Sequence, residues 1–150
     1  MSIRDRVRQT RFPSPAAEAW VGLVVAADYV TSFTETACAN HGITGDQYNV
    51  LRILRGAGPD GLARGEITAR LARRAPDTTR MLDRLERARL VQRVRGADDA
   101  RRSVARITAA GLRLLDRLDP EIETAMASAT AALTRAELNQ LWELCNKLVS

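Results

Sequence analysis

Cysteine is scarce in this sequence. Cys38 and Cys145 are the only two, and they form no CxxC. That excludes the paired-thiolate spacing of zinc sites and of thioredoxin-like redox motifs. Histidine is scarcer still. His41 stands alone, so the usual zinc-enzyme ligand sets are missing and histidine catalysis would hang on one residue. No stretch approaches the ~20 uninterrupted apolar residues of a membrane span. Met1 to Arg11 is polar and arginine-rich, without the apolar core and cleavage site of a signal peptide. The segment Gly56 to Gly61 is rich in glycine but lacks a following Gly-Lys-Ser/Thr and the Rossmann spacing, so it reads as a turn. Asp98 and Asp99 are adjacent in a charged turn beside Arg101 and Arg102, which suits ion pairing in water better than acid–base work. The expectation is a cytoplasmic protein that is not an enzyme, with no metal, no cofactor and no membrane partner.

What the sequence does have is positive charge in one place. The 150 residues carry a net charge of +5. Between Arg64 and Arg106 there are 13 arginines against 6 carboxylates, while the remainder has 10 basic and 12 acidic residues. All the excess is central, the footprint of a phosphate-binding module. Of the 23 basic residues 22 are arginine, and Lys147 is the one lysine. The length suits about one domain with a core that needs no staples.

Apolar spacing and capping residues divide the chain into elements. Residues 1–13 read as a mobile arm. Ser14 and Pro15 fit the N-cap and first position of a helix that carries Trp20, Leu23, Val24, Ala27, Val30 and Ala37 and stops at Asn40-His41-Gly42. Thr44 and Gln47 make a capping box ahead of Tyr48, Leu51 and Leu54. A short helix follows from Gly65 to Arg74, with Ile67 and Leu71 inward. Pro76 is expected at the first position of the next, with Met81, Leu82 and Leu85 inward and an end near Arg89. Residues Leu90 to Arg95 alternate with period two, and Val104 to Ile107 return as a second strand. Thr108 begins a long helix that Pro120 should kink or break. Thr134 to Glu137 is a second capping box, and Leu138, Leu141, Trp142, Cys145 and Leu148 give the last helix an apolar stripe.

Two short helices followed by a basic hairpin describe a winged helix-turn-helix, in which the second helix enters the major groove with its N-terminal residues near base edges. Here those residues include Thr78, Thr79 and Arg80, with Arg84 one turn further on the same face. The hydroxyls can bond phosphates or bases, and an arginine can grip guanine bidentately. The hairpin tip offers Arg101 and Arg102 to the minor groove, with Asp99 placed to orient Arg101.

In three stretches the sequence resembles the MarR family of regulators. They are Thr44-x-x-Gln47-Tyr48-x-Val50-Leu51, then Thr79 through Glu86, then Asp99-x-Arg101 ahead of Ile107-Thr108-x-x-Gly111. Arg89 departs from the glycine usual there. The resemblance implies a mainly α fold, with a winged helix-turn-helix over residues 43–111, a two-stranded wing, and a helical dimerisation region formed by residues 14–42 and 112–150. It further implies a homodimer that binds double-stranded DNA at a pseudopalindromic operator as a transcriptional regulator, repression being the commoner mode. It matches Asp99 and Arg101 to the family's wing pair. It also implies a small aromatic or phenolic effector, for which Trp20, Tyr29, Phe33, His41 and Tyr48 are the candidate lining, ordinary packing being the alternative for each. The competing function is a winged helix that binds protein and not DNA.

Overall fold

The computed structural model describes residues 2–72, 77–95 and 103–150. Its elements run α1 (Ile3–Val7), α2 (Pro15–Asn40), α3 (Gly45–Ala57), a 3-10 turn (Gly58–Asp60), β1 (Leu62–Ala63), α4 (Arg64–Arg70), α5 (Thr78–Arg87), β2 (Val91–Arg95), β3 (Ser103–Ile107), α6 (Ala109–Ala129) and α7 (Arg135–Val149). The fold is mainly α with a small antiparallel sheet, as the spacing of apolar residues predicts. The chain forms two compact units, one of residues 1–34 and 123–150, the other of residues 35–122.

Local chemistry explains most helix starts. The Ser14 hydroxyl accepts from the Ala17 amide at 3.1 Å. Thr44 accepts from Gln47, and the Gln47 side chain returns the bond to the Thr44 amide at 2.9 Å. Thr134 and Glu137 repeat this box. Each satisfies amides that an α-helix leaves without partners.

The second unit holds the core. Val50, Leu51 and Leu54 of α3, with Ile67, Leu82, Leu85, Val91, Leu115, Leu118 and Ile122, are all essentially shut off from solvent. The sheet has the order β1-β3-β2. Val91 lies opposite Ile107 and Arg95 opposite Ser103, while Leu62 faces Ala105. The two-residue β1 is a third strand that the sequence pattern does not reveal, because period two cannot be seen in two residues. Gly61 makes it possible. Its φ is 70°, and a Cβ there would stand 2.4 Å from the Ala105 carbonyl oxygen. Gly111 is held for a related reason, since a Cβ would lie 2.4 Å from the Leu90 carbonyl.

The first unit is different. The arm contains a helical turn, α1, capped by Ser2 and Asp5 and tied to α2 by exposed ion pairs from Arg4 to Glu18 and Arg6 to Asp28. Among the described residues of this unit no side chain is fully buried. Trp20 is 67% and Trp142 66% exposed, and Leu23, Val24, Leu141, Leu144 and Leu148 are exposed too. Soluble domains rarely leave so much apolar surface uncovered unless a partner takes it.

Helix α6 runs unbroken through Pro120, contrary to the expected break. Side chains of α3 and His41 bond to it on either side of the proline. Asp119 accepts from the Tyr48 hydroxyl at 2.8 Å and from Arg55 at 2.7 Å, and Glu121 pairs with His41 at 2.8 Å.

Candidate nucleic-acid interface

Helix α5 begins at Thr78, with Asp77 as its cap; the Asp77 carboxylate accepts from the Arg80 amide at 2.9 Å. Pro76, expected at the first helical position, lies outside the described residues, and Thr78 holds that position. The helix has two faces of opposite character. Thr78, Leu82 and Leu85 recur one turn apart and are buried. Thr79, Arg80 and Arg84 are exposed.

Thr78 therefore corrects the sequence reading. Its side chain is 6% exposed and its hydroxyl lies 3.0 Å from that of Thr68. The Thr68 hydroxyl donates to the Arg64 carbonyl at 2.9 Å. With one proton on each hydroxyl, Thr78 donates to Thr68, and the pair locks α5 onto α4. That hydroxyl does not face outward.

Thr79 does. It accepts a hydrogen bond from Arg64 Nη1 at 3.0 Å, and its carbonyl accepts from Arg93 at 3.4 Å. Arg80 is open as well, its side chain 79% exposed and its Nε 3.1 Å from Asp77. Such an exposed pair is worth little and can be exchanged for a phosphate or a base. Arg93 is spent internally, on Asp83 at 2.5 Å and Glu86 at 3.6 Å. It braces β2 against α5.

Two hydrogen bonds finish α5. The Arg89 amide donates to Glu86 and the Leu90 amide to Leu85, each at 2.9 Å. This is the Schellman ending, which puts the first of the two donors in the left-handed region. That residue is Arg89, with φ 58°. The helix thus ends at Arg87, two residues before the expected position, and arginine occupies the place that favours glycine. Strands β2 and β3 leave from here as the wing. Its tip residues Asp99, Arg101 and Arg102 lie outside the described residues.

A MarR transcription factor from Planctomyces limnophilus is 34% identical, over 91% of this chain and 98% of that one, with a TM-score of 0.71. The chain belongs to the MarR family. The MarR family model matches residues 41–102, and members of the family are transcription regulators. The homoprotocatechuate degradative operon repressor of Escherichia coli is 26% identical over 130 residues, 87% of this chain and 86% of its own. A mutant MarR from E. coli complexed with operator DNA shares the fold, at TM-score 0.78 and 22% identity over 85% of this chain and 91% of that one.

In this MarR protein the five candidate effector residues fall in both units, Trp20, Tyr29 and Phe33 in one, His41 and Tyr48 in the other. Tyr29 and Phe33 meet edge to face at 5.1 Å. Trp20 precedes Phe33 by 13 positions on the continuous helix α2, about 20 Å at 1.5 Å per residue. One aromatic ring cannot touch both. His41 is engaged with Glu121. Tyr48 is buried, with Asp119 on its hydroxyl and Arg52 5.8 Å over its ring. Burial and the bond to Asp119 push the Tyr48 hydroxyl up to about 12. Burial, aided by Glu35, raises the Cys38 thiol to about 11, so Cys38 is a poor nucleophile.

Two residues of this surface escape a sequence reading. Arg64 and Arg93 reach α5 from 15 and 14 positions away. No local spacing marks a contact of that separation, and only the position of Arg64 at the start of the first short helix hints at it.

Proposed function

We propose that this chain binds double-stranded DNA as a homodimer and represses transcription from a pseudopalindromic operator, with α5 in the major groove and the wing on the adjacent minor groove. The observation that carries this is the split of α5. Its apolar residues are spent on the core, while Thr79, Arg80 and Arg84 stand exposed in the most basic stretch of the chain. The hydroxyl and guanidinium groups suit base edges and phosphates. Asp99, Arg101 and Arg102 complete the proposed DNA contacts at the wing tip.

Residues 43–111 form the DNA-binding region in this reading, and residues 14–42 and 112–150 the dimerisation region. The exposed apolar residues of α2 and α7 support a second copy as the occupant of that face. The relative named as a repressor of a homoprotocatechuate operon supports repression. It also supports relief by a small aromatic acid. A cytoplasmic location follows from that role, and no helix among the described residues is long and apolar enough to cross a membrane.

The test is a footprint on DNA upstream of the chain's own gene and on a randomised duplex pool, at low and moderate salt. Protection of a two-fold site that fades steeply with salt supports the reading, because each neutralised phosphate releases counterions. Absence of enrichment from the pool, with weak salt dependence, overturns it in favour of a protein-binding winged helix. Sedimentation of Leu141→Asp beside the parent chain tests the dimer; an unchanged dimeric mass removes α7 from the interface.

A further inference from the structure

We propose that Arg64, outside the recognition helix, is a specificity-determining positioning residue that biases the Thr79 hydroxyl toward outward donation. This rests on the DNA-binding reading above. Between α4, α5 and the sheet lies a hollow of about 430 Å³, lined by Arg64, Thr79, Leu82, Arg93, Ser103 and Ala105. Two arginines stand over it and they are not equivalent. Arg93 is neutralised by Asp83 and Glu86. Among the described residues no carboxylate lies within ion-pair distance of Arg64. It donates instead to the Thr79 hydroxyl oxygen, 3.0 Å from Nη1.

A hydroxyl has one proton and two lone pairs, and rotates to suit its neighbours. A guanidinium can only donate. With Arg64 on one lone pair, the Thr79 proton must turn away from Arg64, toward the solvent-facing side of α5. Arg93 holds the Thr79 carbonyl at 3.4 Å, so the backbone beneath is pinned as well. An orphan threonine could donate to a base or accept from it. With one lone pair spent on Arg64, this one keeps its proton and a single lone pair, which weights it toward donating.

That polarity is a base preference. In the major groove adenine, guanine and thymine each offer an acceptor, whereas cytosine offers only its amino donor. Thr79 held as a donor disfavours cytosine at the position it faces. Loss of Arg64 frees the hydroxyl to rotate and lets cytosine back in.

The experiment is selection from a randomised duplex pool by the full chain, followed by competition among single-base variants of the enriched site. It compares the parent with Arg64→Ala, Arg64→Lys, Thr79→Val and Arg64→Ala/Thr79→Val, each first checked by its melting curve. The parent should discriminate against cytosine at one position per half-site by roughly three- to tenfold, the range of one neutral hydrogen bond. Arg64→Ala should lose that discrimination there and nowhere else. Thr79→Val should lose it too, and the double variant should add nothing further. Arg64→Lys, which keeps a donor but not the fixed fork, should fall between. A uniform loss of affinity across all sequences in Arg64→Ala, with the salt slope lowered by about one, would make Arg64 a phosphate contact and overturn the proposal. Unchanged base preference overturns it also. Failure of the parent to enrich any duplex overturns the DNA-binding reading first and this one with it, and is visible before any variant is made.

Discussion

Arg89→Gly should stabilise the protein. Arg89 sits at φ 58°, where the Cβ of an L-residue crowds the carbonyl that follows, at about 1–2 kcal/mol. Glycine escapes that cost but loses about 0.5–1 kcal/mol more backbone freedom on folding. The difference favours glycine by about 0.5–1 kcal/mol. Nothing else is lost, because both closing hydrogen bonds, Arg89 to Glu86 and Leu90 to Leu85, come from backbone amides, and the Arg89 side chain is exposed. A gain of that size raises Tm by roughly 1–4 °C for a domain of this length. Urea unfolding at fixed protein concentration is the assay, with the midpoint rising and the slope unchanged. Arg89→Val supplies the opposite sign, since a β-branched residue tolerates positive φ worst. A destabilised glycine variant, or a neutral valine variant, would refute the reasoning.

Two further outcomes are expected. Burial raises the Asp119 carboxyl, and the hydrogen bonds from Arg55 and Tyr48 more than reverse this, so it lies below its ordinary 3.8. The stability it contributes is complete above pH 3.8 and is lost as pH falls through the folded value; Tyr48, raised to about 12 from 10, loses its share as pH climbs from 10 toward 12. Unfolding midpoints against pH for the parent and Asp119→Asn should diverge least in strong acid, and parallel curves would remove Asp119 from the network. Cys38, buried with its thiol pushed up, should react with a thiol reagent at neutral pH far more slowly than the partly exposed Cys145, and equal rates by mass spectrometry would contradict that packing.

Interactions confined to four neighbouring residues were legible in the sequence. The boxes at Thr44 and Thr134 need only a hydroxyl and a carboxamide or carboxylate three positions on, and both are formed. The inward face of α5 was legible as well, and so in principle was Thr78, one turn before Leu82 and two before Leu85. Read for its hydroxyl it belongs with Thr79; read for its period it belongs with the core. The period wins, because a threonine can bury its methyl and still spend its hydroxyl on Thr68. What could not be read were contacts made across the fold. Arg64 on Thr79, Arg55 on Asp119 and Leu62 opposite Ala105 join residues 15, 64 and 43 positions apart. Pro120 misleads too, since α6 beside it is bonded at Asp119 and Glu121 to Tyr48, Arg55 and His41, residues far away in sequence.

The near-absence of lysine has a regulatory consequence. Every cation of the basic stretch is an arginine, and Lys147 stands in the last turn of α7. Arginine keeps its proton at any pH the fold survives, and acetylation of lysine has no target there. The positive charge of this stretch is therefore out of reach of acetyl transfer, and amine-directed labels will report on Lys147 while leaving the basic stretch untouched.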